Sequence, residues 1–263
     1  MNPLKISLTI TCLLLSLLGI GQNNPIELYR TGNSNFKSGN YEKAIANYTE
    51  LMETVDKKIV QKNCYINRGL SYDRLQKYDL AIADFTEAIQ LDSTDMASFI
   101  DRGLSRMHAG YLEKAKTDYN YVVNKNNNSK MMESALYWLA RIHYSQGKFK
   151  EVIKNCDQYF AINSKDPELY FIRGTANDML GDFKQSIKDY SKAIELKPTY
   201  VQAIANRGTA KINLLTTNGN LQPNKKDTKS ACQDLKRAKA LGDDVIDDLI
   251  YIYCDRKETK KRN

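Results

Sequence analysis

A small residue recurs along this chain every 34 or 37 residues. Five glycines and one alanine hold these positions: Gly32, Gly69, Gly103, Ala140, Gly174 and Gly208. A fixed period of this length is the signature of a repeat protein, in which each repeat is one supersecondary unit stacked on its neighbours. We therefore expect the chain to stack about six copies of one small unit.

Other residue types recur in phase with the small residue. In the first repeat an aromatic residue, a small residue and a second aromatic residue follow it, at Tyr41, Ala44 and Tyr48. Each unit is expected to be two helices joined by a short turn, with the small residues allowing close approach and the aromatic residues filling the space beside them. Four glycines mark the turn: Gly39, Gly110, Gly147 and Gly181.

Three stretches, GNYEKAIANYTEL, QKYDLAIADFTEAIQLD and GDFKQSIKDYSKAIELKP, resemble the tetratricopeptide repeat. The resemblance covers about residues 25–240, although the family's early tryptophan is missing and the fourth repeat diverges at Ala140, Val152 and Cys156. It implies an all-α fold, a right-handed α-solenoid of about six helix hairpins with a C-terminal capping helix. The closing AC-x-DL and YC segments resemble those of secreted bacterial tetratricopeptide proteins.

The predicted solenoid occupies residues 22–254. A stretch at 216–230 is rich in Asn, Thr, Gly and Lys, which predicts a loop inserted in the sixth repeat. Residues 243–254 predict an amphipathic cap, because the last repeat of a solenoid would otherwise expose its apolar face. The repeats are placed at about 25–58, 62–95, 96–129, 133–166, 167–200 and 201–240.

The N-terminal residues 1–21 have the pattern of a secretory signal peptide. Lys5 precedes an apolar run, and Gly19 and Gly21 are the small residues expected before a cut ahead of Gln22. A retained membrane anchor is the alternative, but the run has about 15 residues where a spanning helix needs about 20. The prediction is an exported protein, periplasmic or secreted, which meets a membrane only if this segment is retained.

The charge of the chain gives no reason to expect a nucleic-acid partner. The net charge is +8, of which residues 1–21 contribute +1; of the remaining +7, the last eight residues of the basic tail at 255–263 carry +4. Such a tail is usually a solvated end. Nucleic-acid binding would need a basic stripe on the folded body.

An arginine precedes the small residue in four repeats, and an aspartate is found later in the same four. In the first repeat both positions change, to Thr31 and Asn47, and in the fourth to Leu139 and Asn155. Because the helices reverse between the two positions, the side chains should face each other, and a guanidinium can bind a carboxylate bidentately. A brace within the hairpin is favoured over a ligand-binding ladder of arginines. The predicted pairs are Arg68 with Asp84, Arg102 with Asp118, Arg173 with Asp189, and Arg207 with Asp234.

No pattern in the sequence indicates catalysis. The chain has only two histidines, His108 and His143, and it contains no HExxH, GxSxG or GxxxxGK[ST] motif. No CxxC spacing occurs, which argues against a zinc site. We expect no catalytic residues, no cofactor, no metal and no small-molecule substrate.

Two cysteines can pair near the C-terminus. The final hairpin turns near Gly242, which would place Cys232 opposite Cys254, and an oxidising compartment would allow a disulfide. Two buried thiols are the alternative. Cys64 and Cys156 fall in different repeats and are expected to be unpaired core residues.

The resemblance also implies a binding groove, lined by the first helix of each repeat. Its side chains are mixed but largely apolar and aromatic, which suits a protein or peptide segment with hydrophobic and acidic side chains. Some of these residues are expected to be ordinary packing residues. The candidates are Tyr29, Asn33, Phe36, Lys37, Ile66, Leu70, Asp73, Arg74, Ile100, Leu104, Met107, Tyr137, Arg141, Tyr144, Phe171 and Asp178.

Some family members clamp the terminal carboxylate of a peptide with lysines, an arginine and asparagines. Asn33 and Asn67 match this pattern, but Tyr29, Ala97 and Asp101 stand where the cations are required. That binding mode is not expected here. The sequence thus predicts a non-catalytic interaction module or scaffold of the cell envelope. The alternative is a structural or regulatory subunit of an envelope assembly that uses its convex face or its tail.

Overall fold

The computed structural model describes residues 24–125, 129–217, 219 and 223–255. Within these ranges the chain forms thirteen α-helices and a terminal π-helical turn, and it contains no strand. The predicted signal segment 1–21 and most of the basic tail lie outside the described residues. The helices are α1 Pro25–Lys37, α2 Tyr41–Thr54, α3 Lys58–Arg74, α4 Tyr78–Leu91, α5 Met96–His108, α6 Leu112–Lys125, α7 Ser129–Ser145, α8 Phe149–Phe160, α9 Pro167–Met179, α10 Phe183–Leu196, α11 Val201–Thr217, α12 Lys225–Ala240 and α13 Asp247–Ile250.

Consecutive helices pair as hairpins, and the turn between them has a defined chemistry. At the first turn Gly39 donates its N–H to the carbonyl of Phe36 at 3.1 Å, and Asn40 donates to the carbonyl of Asn35 at 2.8 Å. This is the Schellman motif, which needs a left-handed residue after the helix and therefore favours glycine. Gly39 has a φ of 78°, and Gln76 takes the same role in the second repeat with a φ of 59°.

In the first, second, fifth and sixth repeats the glycine makes room for a large side chain of the second helix. A Cβ atom added to Gly174 would lie 2.9 Å from ring atoms of Tyr190, which is too close for any real contact. The fourth repeat carries Ala140 where the others have glycine, and there the aromatic residue is replaced by Cys156. The two substitutions compensate each other, because the smaller partner leaves space for the methyl group.

The chain divides into two compact units, residues 1–115 and residues 116–263. In the described part of the first unit, α1 and α2 bury a cluster that contains Leu28, Tyr48 and Leu51. The second unit has one cluster around α7 to α9 and another around α10 to α13. Leu136 belongs to the former and Leu235 to the latter, and both are fully buried.

Two first helices extend ahead of their predicted repeats. The first helix of the second repeat begins at Lys58 and that of the fourth at Ser129, earlier than the predicted repeat starts at 62 and 133. Both helices have 17 residues where α1, α5 and α9 have 13. The added length lies at the N-terminal ends of these helices, and the three extra residues of each 37-residue spacing supply most of it.

The inserted loop is shorter than predicted, because α11 continues to Thr217 and α12 begins at Lys225. The Asn224 side chain caps α12 by accepting from the N–H groups of Lys226 and Asp227 at 2.9 and 3.0 Å. An N-cap of this kind stabilises a helix start that the polar composition alone does not indicate.

The predicted cap helix at 243–254 is broken. Only Asp247–Ile250 is α-helical, and Tyr251–Asp255 forms the π-helical turn. Tertiary contacts hold this end of the chain: the Thr228 hydroxyl donates to the carbonyl of Tyr253 at 3.2 Å. Ile246 and Ile250 are buried in the cluster around α10 to α13, so the segment still covers the apolar end of the last hairpin.

Candidate binding surface

Three arginine–aspartate pairs join the two helices of their hairpins. The Nε and Nη2 atoms of Arg68 donate to the two Asp84 oxygens, both at 2.8 Å. Arg173 donates to Asp189 at 3.0 and 2.6 Å in the same geometry. The third pair, Arg207 with Asp234, has distances of 2.8 and 2.6 Å. The predicted pair of Arg102 with Asp118 joins residues of different units and stays a prediction.

The remaining nitrogen of each arginine reaches the preceding repeat. Nη1 of Arg68 donates to the Thr49 hydroxyl at 2.9 Å, and Nη1 of Arg102 to the Thr86 hydroxyl at 3.2 Å. Equivalent bonds run from Arg173 to Asp157 at 2.6 Å and from Arg207 to Ser191 at 3.1 Å. Sequence reasoning missed these partners, although all four lie seventeen residues after the small residue of their repeat.

A third position, three residues after the small residue, also contacts the aspartate or its replacement. In the first repeat Asn35 donates to Asn47 at 2.9 Å, and in the fourth the His143 ring Nδ1 lies 2.8 Å from the Asn155 oxygen. Burial lowers the pKa of His143. The repeats that lack the ion pair therefore keep a neutral version of the same bridge.

The C-terminal cysteines are bonded. The disulfide between Cys232 and Cys254 joins α12 to the π-helical turn, with Cα atoms 5.5 Å apart. Cys64 and Cys156 are free and buried. Burial raises the pKa of the Cys64 thiol to about 11 and that of Cys156 to about 12, so neither is a ready nucleophile.

The predicted groove residues lie on the first helices of the hairpins. We call this surface the first-helix face: α1, α3 and α5 in the first unit, and α7 and α9 in the second. None of the sixteen candidates is buried; Lys37, Arg74 and Arg141 are exposed and the others are half-buried. They are therefore available to a partner in part, which the fully buried aromatic residues such as Tyr48 are not.

In the first unit a polar network connects the first helices. Tyr48 donates its hydroxyl to Asn33 at 2.8 Å, and the Asn67 amide lies 3.5 Å from the same Asn33 oxygen. Further along, the Ser105 hydroxyl donates to Asp73 at 2.7 Å and the His108 ring Nδ1 lies 3.3 Å from it. Asparagine, serine and histidine side chains thus link α1 to α3 and α3 to α5.

Asp101 differs from the other acids of this face. It lies half-buried on α5, and among the residues that the structure describes it has no ion-pair partner and no hydrogen-bond donor. Burial, followed by the nearby carboxylates of Asp95 and Asp73, raises the pKa of Asp101 to about 6. The sequence had singled out this residue only because it replaces a cation of the carboxylate clamp.

The first unit also has a cavity of about 600 Å³ at its N-terminal end. Its walls are mainly apolar and come from α1, the end of α2 and the start of α3, with Ile26, Leu51 and Val60 among them. Tyr29, a predicted groove residue, borders it. The remaining groove candidates of this unit do not line it.

In the second unit the candidates Arg141, Tyr144 and Phe171 line a cavity of about 260 Å³. Glu168 and Tyr200, which sequence reasoning missed, complete its walls. Glu168 could have been found, since it stands on the same helix face as Phe171. Tyr200 gave no such signal, because it lies in the connection between α10 and α11 and not on a first helix.

The cation of this cavity is already paired. Arg141 forms an ion pair with Glu168 at 2.9 Å, and its Nη1 donates to the Tyr137 hydroxyl at 2.7 Å. Tyr137 in turn donates to the second Glu168 oxygen at 3.0 Å. The Arg141 guanidinium also lies over the Trp138 ring, 5.4 Å from its centre. The cavity therefore has aromatic side chains in its walls, and its two charged residues, Arg141 and Glu168, neutralise each other.

The described part of the chain holds no group of three or more histidine, cysteine or acidic side chains that could bind a metal. None of the described helices is long and apolar enough to cross a membrane.

Models of the tetratricopeptide repeat match residues 28–55, 63–95 and 167–200. Among curated proteins, the Hsp70-Hsp90 organizing protein of Triticum aestivum is 25% identical over 211 residues, which are 67% of this chain. The match spans 36% of that protein, so the chain corresponds to only part of its relative.

Solved structures share the fold. The C-terminal part of a TPR repeat-containing protein from Cytophaga hutchinsonii superimposes with a TM-score of 0.67 at 21% identity, covering 84% of this chain and 82% of that one. YrrB, described as a TPR protein with an unusual peptide-binding site, gives 0.60 at 18% identity, with 75% and 93% covered. The chain therefore contains tetratricopeptide repeats, and its fold is an all-helical α-solenoid of such repeats.

Proposed function

We propose that this protein is a non-catalytic interaction module of the cell envelope that binds a segment of a partner protein on its first-helix face. The observation that carries this proposal is the aromatic cavity of the second unit. It collects Tyr144, Phe171 and Tyr200 at the surface next to a paired Arg141. Accessible aromatic side chains and arginines are the residues that most often dominate binding energy at interfaces.

The relatives agree with a role in binding. The wheat relative is named as an organizing protein for two chaperones, and the YrrB structure is described by its peptide-binding site. Those descriptions apply to those proteins. For this chain they support the choice of a protein or peptide as the partner.

The envelope location rests on residues 1–21 and on the C-terminal cysteines. The sequence shows Lys5, an apolar run and a Gly19-x-Gly21 site, and the Cys232–Cys254 bond suits an oxidising compartment. Mass spectrometry of the native protein should find an N-terminus at Gln22. An intact Met1 in the fractionated protein would exclude cleavage.

A second candidate role uses the other surfaces, as a structural or regulatory subunit of an envelope assembly. It is favoured by apolar side chains left exposed near the C-terminus, where Val245 is 94% exposed and Tyr251 is 76% exposed. Isolated exposed apolar residues are common in monomers, so this role is the weaker candidate.

Site-specific photocrosslinking in the native host tests the two roles against each other. A photoreactive amino acid at Tyr144 or Phe171 should capture one discrete partner, identified by mass spectrometry. The same group at Lys188, an exposed residue of the second helix α10, is the matched control and should capture none. The same group at the exposed Val245 tests the second role. Capture of a partner from Val245 or Lys188, with none from Tyr144 or Phe171, would favour that role.

A further inference from the structure

Some charged side chains of the first-helix face are already paired within the protein and others are not. The unpaired ones indicate which charge a partner should carry. The sequence alone favours an acidic partner, because arginines stand among the apolar candidates. Arg141 cannot support that expectation, since Glu168 lies 2.9 Å away and Tyr137 accepts a further bond. The exposed Lys37 and Arg74 are solvated, and an exposed charge gains little from a countercharge.

Asp101 is the opposite case. Its carboxylate is half-buried and, among the described residues, has no partner, while the nearby Asp73 is bound by Ser105 and His108. A desolvated charge without a partner destabilises the free protein. A cation brought by a ligand would remove that cost, so this position gains far more from a countercharge than the exposed groups do.

The surroundings of Asp101 are those of a peptide surface. On the same helix α5, Ile100 and Leu104 are half-buried and apolar, and so are Ile66 and Leu70 on the adjacent first helix α3. Partly accessible aliphatic side chains can contact apolar residues of a bound segment. A ligand for this surface must therefore combine apolar side chains with one positive charge.

We propose that the first-helix face of the first unit binds a segment of a partner protein in which a lysine or arginine, flanked by apolar residues, pairs with Asp101. This inference rests on the proposed function and names the chemistry of the partner in the first unit. It inverts the carboxylate clamp: the amides Asn33 and Asn67 are retained, and an acid replaces a cation.

A random twelve-residue peptide library displayed on phage, selected on the purified protein, tests this. Selected sequences should be enriched in lysine or arginine beside apolar residues. As synthetic fluorescent peptides, they should bind Asp101→Asn at least tenfold more weakly. Glu53→Gln, which makes the same charge change at an exposed site on α2, should bind them like the wild type. A peptide in which glutamate replaces the basic residue should not bind the wild type. The same glutamate peptide should bind the Asp101→Lys variant, because the two charges have been exchanged.

Two results would overturn the inference. One is selection of acidic or neutral peptides; the other is equal affinity for the wild type and Asp101→Asn. If binding of the selected peptides is lost on replacement of Tyr144 or Phe171 and not of Asp101, the proposed function is supported and this inference is wrong. Failure to select any peptide would count against both. Asp101→Asn removes a destabilising charge, so this variant is expected to fold. Weaker peptide binding by the variant would therefore report the loss of the carboxylate and not misfolding.

Discussion

At the scale of single residues, the repeated arginine connects the two helices of its hairpin to each other and to the preceding repeat, and it is not a ligand-binding group. Arg173 donates from three nitrogens, two to Asp189 in its own hairpin and one to Asp157 in the preceding repeat. The Asp189 side chain is 2% exposed. Removing one member of such a pair leaves a buried charge unpaired, which explains why both members change together in the first and fourth repeats.

The fourth repeat suggests the variant that tests this. Arg173→Leu and Asp189→Asn each should destabilise the protein by about 3 kcal/mol or more. The double variant, which copies the Leu139 and Asn155 combination, should lose about 1–3 kcal/mol less than the sum. Urea unfolding of the four proteins measures the coupling. The exposed pair Lys192 and Glu195 is the control and should show no measurable coupling. Additivity at Arg173 and Asp189 would contradict the brace.

Asp101 makes stability depend on pH in a direction unusual for an acid. Burial and the neighbouring Asp95 and Asp73 raise its pKa from 3.8 to about 6, so between these values the folded state binds more protons than the unfolded state. The free energy of unfolding therefore falls as pH rises from about 4 to 6, and the loss persists above that range.

Asp101→Asn should remove this dependence. It should raise the free energy of unfolding by about 1–2 kcal/mol at pH 7 and by little at pH 3.5, where most of the wild-type carboxyl is protonated in both states. Denaturation at the two pH values measures the difference. All other titratable groups are the same in the two proteins, so the difference between them isolates the effect of Asp101. A variant less stable than the wild type at pH 7 would mean that Asp101 has a stabilising partner.

At the scale of elements, the C-terminal cap is too short to be stable alone. Its α-helix has four residues, and isolated helices shorter than about 12 residues are marginal in water. The disulfide closes a loop with a sequence separation of 22 residues. The Lys236–Asp255 ion pair at 2.7 Å is exposed and contributes little.

Replacing both cysteines, as Cys232→Ser with Cys254→Ser, should lower the free energy of unfolding by about 3 kcal/mol. Amide hydrogen exchange should rise over residues 246–255 and remain unchanged in α1 to α4, because the cap belongs to the core cluster around α10 to α13. The wild type under a reducing dithiol is the matched control and should behave like the variant. Four free thiols in protein isolated from an oxidising compartment would show that the bond does not form.

At the scale of the whole molecule, the prediction concerns which aromatic residues bind and which only pack. Tyr144→Ala should weaken binding of the crosslinked partner by about 2 kcal/mol, with a small change in the unfolding midpoint, because the ring is half-buried. Tyr48→Ala should do the reverse, since Tyr48 is 1% exposed in the core of the first unit. Calorimetry with the purified partner and thermal unfolding separate the two effects. Unchanged binding with a large fall in the midpoint would make Tyr144 a core residue.

Much of the fold could be predicted because its determinants are local or periodic. The glycine, the aromatic residue and the arginine–aspartate pair recur in phase, and each describes one hairpin. Helix boundaries that depend on single side chains were harder to predict from the sequence. The Asn224 side chain caps the start of α12, and Thr228 contacts the C-terminal segment where its α-helix is broken.

The sequence by itself determined the helical repeat, the pairing of helices and the face that carries the candidate residues, because a period of about 34 residues repeats one local solution. Only the tertiary structure decided which charges on that face are satisfied. Arg141 is neutralised by Glu168 from the next repeat, whereas Asp101 has no partner among the described residues. Such differences depend on distances between side chains of separate helices and on burial, and neither is periodic in the sequence.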